Sequence, residues 1–438
     1  MGFRTFVKKF IPKGLFPAIE PYGHLSEAVL FNVINGFPAH GLKIIGVTGT
    51  NGKTSTCFMI HRMLTDAGYK TGLMTTVAYG VGNDIQPQIH HMTSVPVPEL
   101  MKRLKLIKAK GAEWLVLETT SQALAQHRVF GVPYSLAVMT NVTHEHLDWH
   151  RTFQRYRDAK RQLFKLANRN QAGLRIGIIN AEDPSAKLFA GDIAHPLLYG
   201  IKKGDLQADD VKLKPTGVSY IARIEDDEYT IRCNLPGSFN VYNSLAAVAV
   251  GRAVGLNRQQ IEQGIAALEG VEGRMTKIDA GQAYSVIVDY AHTPDSFEKL
   301  FNDMRPVVKG KLIVMFGSAG RRDEAKRAVQ GEIAGRYADE VVVTEDDDRD
   351  VDGLKIMDQI AKGAEPVGKK RDKDLFLVHD RTDAISFAVS RATKPTDTVL
   401  LLGKGHEKTI ERADGEHPWD EIGTTRTAVS DSLRKKPV

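Results

Sequence analysis

Short apolar runs alternate with longer stretches of helical periodicity along most of the chain. Runs rich in β-branched residues predict buried strands, and the segments between them repeat apolar residues every three to four positions, as amphipathic helices do. This alternation predicts an α/β fold with a mostly parallel sheet covered by helices on both faces. In the first half, strands are predicted at 43–47, 114–117, 136–139 and 176–179, and helices at 99–110 and 152–166.

The pattern changes twice further along the chain. Residues 198–233 form short alternating runs separated by charged turns, which predicts a small antiparallel excursion, and helical patterns return at 240–254 and 258–268. The charged, glycine-punctuated run 269–274 predicts a domain boundary. Beyond it, a second α/β series predicts a smaller Rossmann-like domain with ligand loops at the carboxyl ends of its strands. Its predicted strands are 284–289, 311–316, 340–344, 375–379 and 398–402.

A phosphate-binding loop is indicated between the first predicted strand and the helix after it. The turn and the first helical residues are Gly49, Thr50, Asn51, Gly52, Lys53, Thr54 and Ser55. Backbone N–H groups of such a turn face phosphates, Lys53 would reach the terminal phosphates, and the Thr54 hydroxyl would bind Mg²⁺. Because residue 47 is valine, the strict G-x-x-x-x-G-K-[ST] spacing is not met. An ordinary strand-to-helix turn carrying Gly-Lys-Thr is the alternative.

Carboxylate and imidazole groups follow the next two predicted strands. Glu118 ends one strand, where a carboxylate beside a phosphate loop commonly holds the nucleotide's Mg²⁺, although a helix-capping acid is the alternative. After the other strand, residues 144–150 carry three histidines and two acids. No H-E-x-x-H pattern or nearby cysteine supports zinc, so His146 is a candidate Mg²⁺ ligand, whereas structural or solvated roles are favoured for His144 and His150. From the residues alone, Lys160 is predicted to be a solvated helix lysine.

Composition narrows the class of protein. The chain has 438 residues, 42% of them hydrophobic and 26% charged, as expected for a globular enzyme of two or three domains. Its net charge of +6 suits an anionic substrate, and the absence of a long basic run with interleaved aromatics argues against nucleic-acid binding. Two cysteines provide neither a disulfide framework nor a zinc ligand set, so a reducing cytoplasm is expected.

The N-terminal segment is basic and rich in aromatic residues. Arg4, Lys8, Lys9 and Lys13 lie among phenylalanines and aliphatic residues. No apolar run there is long enough to span a bilayer, and no signal-peptide pattern is present. The segment could contact an anionic membrane surface, or it could pack on the body of the protein as a short basic arm.

Taken together, these motifs resemble the Mur ligase family, and most closely its MurE type, which joins a diamino acid to UDP-N-acetylmuramyl-dipeptide. The matching segments run from residue 46 to residue 407, and the phosphate loop has the family's form. The resemblance places Glu118, Asn141 and His146 at the magnesium and nucleotide positions. It also places Lys160 on the family lysine that CO₂ converts to a carbamate, an anionic metal ligand.

The resemblance extends through the C-terminal half. Arg274 corresponds to an interdomain arginine, and residues 289–295 form a family signature that brings Asp289 and His292 beside the nucleotide. Residues 317–323 with Lys326 resemble a phosphate-facing loop that includes Arg322. Residues expected at the amino-acid site are Asp346, Asp347, Arg349, Gly403 and Glu407, and those expected at the acceptor site are Thr93, Ser121 and Arg128.

Three departures from the family pattern bear on the substrates. Only about forty residues precede the loop, where the family has a domain for the uridine end of the acceptor, so a lipid-linked or other acceptor without UDP stays open. The family's Ser-Ser-His is Thr120-Ser121-Gln122, which loses an imidazole, and Asp-Asn-Pro-Arg is residues 346–349, Asp-Asp-Asp-Arg. The retained Arg349 could pair bidentately with a carboxylate, and the added acids favour a basic side chain. We therefore expect meso-diaminopimelate rather than lysine.

The resemblance implies an ATP-dependent, ADP-forming amide ligase that acts through an acyl phosphate, with Lys53, Lys160 and His292 as catalytic residues. ATP, Mg²⁺ and a CO₂-derived carbamate on Lys160 are the expected cofactors. We expect a cytoplasmic monomer with a P-loop ATPase-like central domain at 42–272, a C-terminal domain at 273–438, and residues 1–41 as a reduced substrate-binding segment. Ligases of the same superfamily acting on a polyglutamate, folate or pseudomurein-like acceptor, and a P-loop kinase or regulatory NTPase, are the alternatives.

Overall fold

Residues 16–88, 95–143, 147–214 and 216–435 are described by a computed structural model. Their strands form three sheets of 11, 6 and 2 strands. The two large sheets follow one another along the chain, and helices cover both faces of each. The predicted α/β fold with mostly parallel sheets is therefore confirmed. The basic residues before Phe16, together with Thr93, His144 and His146, lie outside the described residues.

The first sheet contains every strand up to residue 233. In chain order its strands are β1 (Lys43–Thr48), β2 (Thr71–Met74), β3 (Ala78–Val81), β4 (Asp84–Pro87), β5 (Trp114–Glu118), β6 (Tyr134–Met139), β7 (Ile176–Asn180), β8 (His195–Gly200), β9 (Leu206–Lys214), β10 (Gly217–Ile224) and β11 (Asp227–Cys233). Across the sheet the order is β11-β10-β9-β8-β7-β6-β1-β5-β2-β3-β4. The strands from β9 to β2 in this order are parallel, whereas both margins are antiparallel meanders.

The predicted strands of this domain and the antiparallel excursion at 198–233 are present, whereas the β2–β4 meander was not predicted. Its strands have four residues each, too short to show a clear periodicity beside the loop chemistry of the segment. The central order places β1 between β5 and β6. The loops that follow these three strands therefore meet at one edge, where Thr48, Glu118 and Met139 end their strands.

Nine helices accompany this sheet in the described ranges. They are α1 (Phe16–Ile34), α2 (Lys53–Asp66), α3 (Val97–Ala109), α4 (Ser121–Ala125), α5 (Leu147–His150), α6 (Phe153–Arg169), α7 (Ala186–Ala190), α8 (Phe239–Ala253) and α9 (Arg258–Ala266). Helices α2, α8 and α9 cover one face, and α1, α3, α4, α6 and α7 cover the other. Successive side chains of β1 point to opposite faces of the sheet. Ile45 and Val47 therefore pack on the first face, and Ile44 packs on the second.

The second sheet begins directly after the predicted boundary at 269–274. Its strands are β12 (Thr276–Ile278), β13 (Ser285–Asp289), β14 (Leu312–Phe316), β15 (Glu340–Val343), β16 (Leu375–Leu377) and β17 (Thr398–Leu402), in the order β12-β13-β17-β14-β15-β16. Only β12 is antiparallel. A hairpin of β18 (Thr409–Arg412) and β19 (Gly415–Pro418) follows. The helices are α10 (Pro294–Met304), α11 (Ala325–Tyr337), α12 (Gly353–Ala364), α13 (Arg381–Arg391) and α14 (Glu421–Lys435), with a 3₁₀ turn at Glu365–Val367.

Helix length and the state of the cysteines are two further features of the described chain. None of its helices combines the length and the apolar character needed to cross a bilayer. Both cysteines, Cys57 and Cys233, are buried and free, and burial raises the pKa of each thiol. Cys57 packs in the core cluster between α2 and the first sheet.

Candidate active site

The loop that is predicted to bind phosphate joins β1 to α2, so the strand, turn and helix follow one another as the sequence indicates. Gly52 caps the helix in the left-handed conformation (φ 83°), and a Cβ there would lie 2.2 Å from Asn243 Oδ1, so glycine is required. Asn141 braces the loop, because its Oδ1 accepts from the Asn51 backbone N–H at 2.9 Å and its Nδ2 donates to the Asn51 carbonyl at 3.0 Å. Lys53 Nζ lies over the loop and donates to the carbonyl oxygens of Gly49 (3.1 Å) and Thr50 (2.7 Å). The N-terminus of α2 and this ammonium both carry positive charge on the same side of the loop, which is the arrangement that favours an anion.

A buried carboxylate stands beside the loop. Glu118 is 3% exposed, and its Oε2 accepts from the Thr54 hydroxyl and from the Thr76 backbone N–H, both at 3.0 Å. Within the described ranges, no lysine or arginine forms an ion pair with it. Because an unpaired buried carboxylate is costly, this arrangement fits a divalent cation held by the Glu118 carboxylate and the Thr54 hydroxyl, both of which are oxygen ligands that Mg²⁺ prefers.

Lys160 is buried, so the prediction of a solvated helix lysine, made from the residues alone, is wrong. Its side chain is 2% exposed, its Nζ donates to the Gly49 carbonyl at 2.6 Å, and it lies 4.4 Å from the centre of the Tyr156 ring. Tyr156 in turn shares a hydrogen bond of 3.0 Å with Thr50. The lysine is therefore part of the phosphate-loop environment, where the family resemblance had placed it.

The described acceptor candidates, Ser121 and Arg128, follow Glu118 along the chain. Ser121 is buried at the start of α4 and its Oγ is 2.9 Å from Nε2 of His150, which is also buried. The structural role expected for His150 is thus a direct contact with a candidate acceptor residue. Arg128 is half-buried just after α4, and Ser55 is buried in the first turn of α2.

The C-terminal domain presents its nucleotide candidates at the carboxyl end of β13. The Asp289 carboxylate accepts from the backbone N–H groups of Met275 (2.7 Å) and Ala291 (2.8 Å), and burial raises its pKa. His292 Nδ1 is 2.8 Å from the Tyr290 carbonyl oxygen. Lys326 Nζ donates to the His292 carbonyl at 3.3 Å, which places the lysine beside the same segment, whereas Arg322 is exposed.

The expected amino-acid residues form a buried charged cluster around Lys404. The ammonium of Lys404 contacts Glu407 (2.6 Å), Asp347 (2.8 Å) and Asp346 (3.8 Å), and these carboxylates raise its pKa against the opposing effect of burial. Burial also raises the pKa of Glu407, whereas for Asp346 the effect of burial is outweighed by Lys404 and other cations, which lower the pKa. Gly403 lies next to Asp346. The three acids meet closely enough to hold a metal ion, but Lys404 occupies that place.

Arg349 lies at the edge of this cluster. Its Nε donates to Glu411 Oε2 at 2.7 Å and its Nη1 to the Gly320 carbonyl at 2.6 Å. Glu411 in turn donates its backbone N–H to Asp347 at 3.0 Å. The guanidinium that was expected to bind an amino-acid carboxylate is therefore paired with a carboxylate of the protein's own hairpin.

Direct contacts join the two domains across the loop. The Asn51 side-chain amide donates to Asp295 Oδ2 at 2.7 Å, and the Thr143 hydroxyl donates to the same oxygen at 3.3 Å. Arg274 donates to the Thr54 hydroxyl at 3.4 Å, and its guanidinium lies 4.4 Å from the Tyr290 ring centre. The motifs of both domains thus face one cleft.

Sequence reasoning missed several residues of this cleft. Tyr156 lies in the predicted helix 152–166, and Asp295 and Lys404 lie in segments that resemble the family, but none of the three was given a role. Glu411 was not singled out at all. The spacing of α6 did contain a signal, because residue 160 is four positions after Tyr156 and three before Leu163, which puts it on the apolar face. The contacts of Asp295 and Lys404 join residues far apart in sequence, and no local pattern shows them.

Comparison with known proteins identifies the class of this chain. Residues 47–251 match the Mur ligase middle domain, and residues 273–405 match the Mur ligase glutamate ligase domain. A UDP-N-acetylmuramyl-tripeptide synthetase of Roseiflexus sp. (strain RS-1) is 41% identical over 95% of this chain and 84% of its own length. The chain belongs to the Mur ligase family. It is thus an ATP-dependent, ADP-forming amide ligase that uses Mg²⁺ and small-molecule substrates, and the kinase or NTPase alternative is set aside.

Two diaminopimelate ligases are also similar to this Mur ligase. The UDP-N-acetylmuramoyl-L-alanyl-D-glutamate–2,6-diaminopimelate ligase of Syntrophomonas wolfei subsp. wolfei (strain DSM 2245B / Goettingen) is 38% identical over 85% of this chain and 75% of its own. A solved structure of a protein with that activity superposes with a TM-score of 0.63 at 26% identity, over 95% of this chain and 84% of its own.

Proposed function

We propose that this ligase adds a diamino acid to a muramyl-peptide cell-wall precursor, with meso-diaminopimelate as the preferred amino acid over lysine. The observation that carries the proposal is the cleft itself, which brings a phosphate loop, a buried carboxylate and the Arg349 cluster together. The names of its relatives support this substrate class. The residue roles below are part of the proposal.

In the first half-reaction, an oxygen of the acceptor carboxylate attacks the γ-phosphorus of ATP, the bond to the β,γ-bridging oxygen breaks, and ADP leaves an acyl phosphate behind. Lys53 and the N-terminus of α2 bind the phosphates, and Lys326 and Arg322 supply positive charge from the C-terminal domain. Asn141 holds the loop in shape, and Asp289 with His292 orients the nucleotide. Mg²⁺, held by Thr54 and Glu118 together with His146, would neutralise developing negative charge on the phosphates.

In the second half-reaction, the neutral amine of the amino acid attacks the acyl carbon, phosphate leaves, and the amine loses a proton as the amide forms. The amino acid would lie between Arg349, Glu407 and residues 346–347, while Ser121, Arg128 and Thr93 would hold the acceptor. Both substrates and ATP must meet between the domains, so closure of the cleft accompanies the reaction.

We also propose that Lys160 carries a carbamate formed from its neutral amine and CO₂ with release of a proton. Burial beside the predicted phosphate loop favours this, because a buried amine is more easily neutral and the modification would supply an anion near the proposed divalent cation. The Nζ position 2.6 Å from the Gly49 carbonyl keeps it at the phosphate loop.

The organisation of the chain is part of the same proposal: a substrate-binding segment at 1–41, a central ATP-binding domain at 42–272 and a C-terminal domain at 273–438, acting as a monomer in the cytoplasm. Contact with a membrane surface is supported by the outer side of α1, where Leu30, Val33 and Ile34 are more than half exposed. With the basic residues that precede it, this side suits an anionic bilayer and an acceptor presented there.

The deciding experiment is mass spectrometry of products formed from a mixed pool. The pool contains ATP, meso-diaminopimelate, lysine and equal amounts of acceptors with and without UDP, including a folate and a polyglutamate. We expect a muramyl tripeptide containing diaminopimelate, with release of one phosphate per amide. A folate or polyglutamate product would overturn the acceptor class. The Lys53→Ala variant should lose ATP turnover, and normal turnover in it would remove the loop from the mechanism.

A further inference from the structure

A large cavity, which we call the hinge cavity, lies at the linker that joins the two domains. It has a volume of about 820 Å³ and is walled by the end of β9 and the segment 234–239, by the linker residues 269–277, and by the segment 300–309 at the end of α10. Ser285 and Thr398, the first residues of β13 and β17, also line it. Four residues of strand, about 13 Å, separate Ser285 from Asp289 in the candidate active site. The cavity therefore opens at the opposite end of the second sheet.

The walls of this hinge cavity are mainly apolar. Leu235 and Phe239 contribute from the central domain, Val271 from the linker, and Ile287 and Leu300 from the C-terminal domain. The size and apolar lining are those of a typical small-molecule site, which lies preferentially at a domain interface. Of the residues assigned to the active site, only Arg274 lines both spaces.

The charged side chains of the hinge cavity favour an anion. Lys214, Lys277 and Lys309 are exposed on its wall, and none of them forms an ion pair within the described part of the chain. The acids on the wall are Glu269, Glu272 and Asp303. Glu272 is already paired with Lys408 at 2.6 Å, and Asp303 accepts hydrogen bonds from the backbone N–H (2.6 Å) and hydroxyl (2.9 Å) of Ser238. With Arg274, four basic side chains line the cavity against three acids, and the charge of Glu272 is already balanced by Lys408, which is not part of the wall.

We propose that the hinge cavity binds a small amphipathic anion, with an aromatic or aliphatic body against the apolar walls and an acidic group at Lys277 and Lys309. Such a ligand is not expected to be a substrate of the ligase reaction, because none of the described residues proposed to bind the nucleotide, the acceptor or the amino acid lines this cavity. Since both domains and the linker form the walls, a bound ligand contacts all three parts that must move when the cleft closes.

The probe for this site is 8-anilinonaphthalene-1-sulfonate, titrated into the full chain while its fluorescence is measured. We expect one site that persists at saturating ADP and Mg²⁺. The double variant Lys277→Gln/Lys309→Gln should raise the Kd at least tenfold, and Val307→Trp, which enlarges a half-buried wall residue, should abolish binding. The matched control is Lys355→Gln/Lys373→Gln, which removes two exposed lysines elsewhere on the same domain.

A neutral probe separates charge from apolar contact. N-phenyl-1-naphthylamine has the same ring system without the sulfonate, so its Kd should change less than threefold in the Lys277→Gln/Lys309→Gln variant. Displacement of the sulfonate probe by ADP would show that it occupies the nucleotide site and would overturn the proposal. Wild-type affinity in both the lysine variant and Val307→Trp would overturn it as well. Neither outcome depends on ligase activity, so the test stands apart from the proposed function.

Discussion

Lys160 Nζ donates a 2.6 Å hydrogen bond to the carbonyl oxygen of Gly49, although 111 residues separate the two in sequence. This contact ties the middle of α6 to the turn that begins the phosphate loop. Burying a charged lysine on a helix face costs free energy. This cost is offset only if the lysine, or its carbamate, interacts favourably with the loop and the loop's ligands. Lys160 is therefore the first residue to test.

The Lys160→Ala variant should lose amide formation by at least 100-fold while still binding ATP. If the side chain carries a carbamate, small carboxylates such as formate or acetate should restore part of the activity by placing an anion in the vacated space. The measurement is phosphate release and amide product with and without added carboxylate. Lys165→Ala, which changes a half-exposed lysine of the same helix, is the control. Full activity of Lys160→Ala would refute a catalytic role for the lysine.

His150 should act on acceptor binding through Ser121. Its Nε2 lies 2.9 Å from the Ser121 hydroxyl, and its ring packs edge-on against Tyr156 at 5.3 Å. The His150→Phe variant keeps an aromatic ring but loses this hydrogen bond, so we expect the KM for the acceptor to rise about tenfold, as the loss of a buried hydrogen bond implies. The KM for ATP should change less than threefold. The exposed His195 provides a control as His195→Phe.

A double-mutant cycle sharpens this prediction. Ser121→Ala should raise the acceptor KM by a similar factor, and the double variant should be no worse than either single one, because both changes remove the same contact. Additive effects would show that His150 and Ser121 act independently.

The parallel strands of the fold could be predicted from the sequence. For the cleft, the sequence indicated the motifs but not the contacts between them. Strands such as β1 and β14 are continuous apolar runs buried on both faces, a signal that a short segment carries by itself. The contact between His150 and Ser121 depends instead on how the end of α5 meets the start of α4. The imidazole missing at Gln122 gave no hint that another would lie beside Ser121. Arg349 likewise matched its motif, yet its partner Glu411 comes from a hairpin 62 residues away.

The pairing of Arg349 with Glu411 should compete with amino-acid binding. The Arg349→Ala variant should raise the KM for diaminopimelate by about 10- to 100-fold, the range expected for losing a charge-assisted hydrogen bond of about 1.5–3 kcal/mol. The KM for ATP should stay within threefold. Glu411→Gln should instead lower the KM for diaminopimelate a few-fold and leave the KM for lysine unchanged. The change releases the Arg349 guanidinium to bind the second carboxylate of diaminopimelate, a group that lysine lacks.

Steady-state kinetics with both amino acids check this pair of variants. Arg371→Ala is the control, since this exposed arginine pairs with Asp358 and Glu365 away from the cleft. An unchanged amino-acid KM in Arg349→Ala would move the specificity site elsewhere in the C-terminal domain.

Asp348 should make the C-terminal domain less stable as pH rises. Burial, together with the carboxylates of Glu345 and Asp346, raises the pKa of Asp348 from 3.8 to about 6, although the Asp346 N–H and His379 oppose the shift. Between about pH 4 and pH 6 the folded domain keeps a proton that the unfolded chain releases, so the free energy of unfolding falls over this range. Above pH 6 the carboxylate is ionised in both states, and the loss of stability is complete. A difference of about 2 between the two pKa values corresponds to about 3 kcal/mol at most.

The Asp348→Asn variant removes this titration and retains the oxygen that accepts from the Asp346 N–H. The difference in the free energy of unfolding between the variant and the unaltered chain should therefore be near zero at pH 4. At pH 7.5 the variant should be more stable by up to about 3 kcal/mol. Urea unfolding of the C-terminal transition at pH 4.5, 5.5 and 7.5 measures the difference, with Asp226→Asn, an exposed turn residue of the central domain, as the control. A difference that stays constant with pH would mean that Asp348 is ionised in the folded domain at its ordinary pKa. A variant that is less stable at pH 7.5 than the unaltered chain would mean that the ionised carboxylate is favourably bound there, and the extra acid of the 346–349 segment would then be a structural anchor.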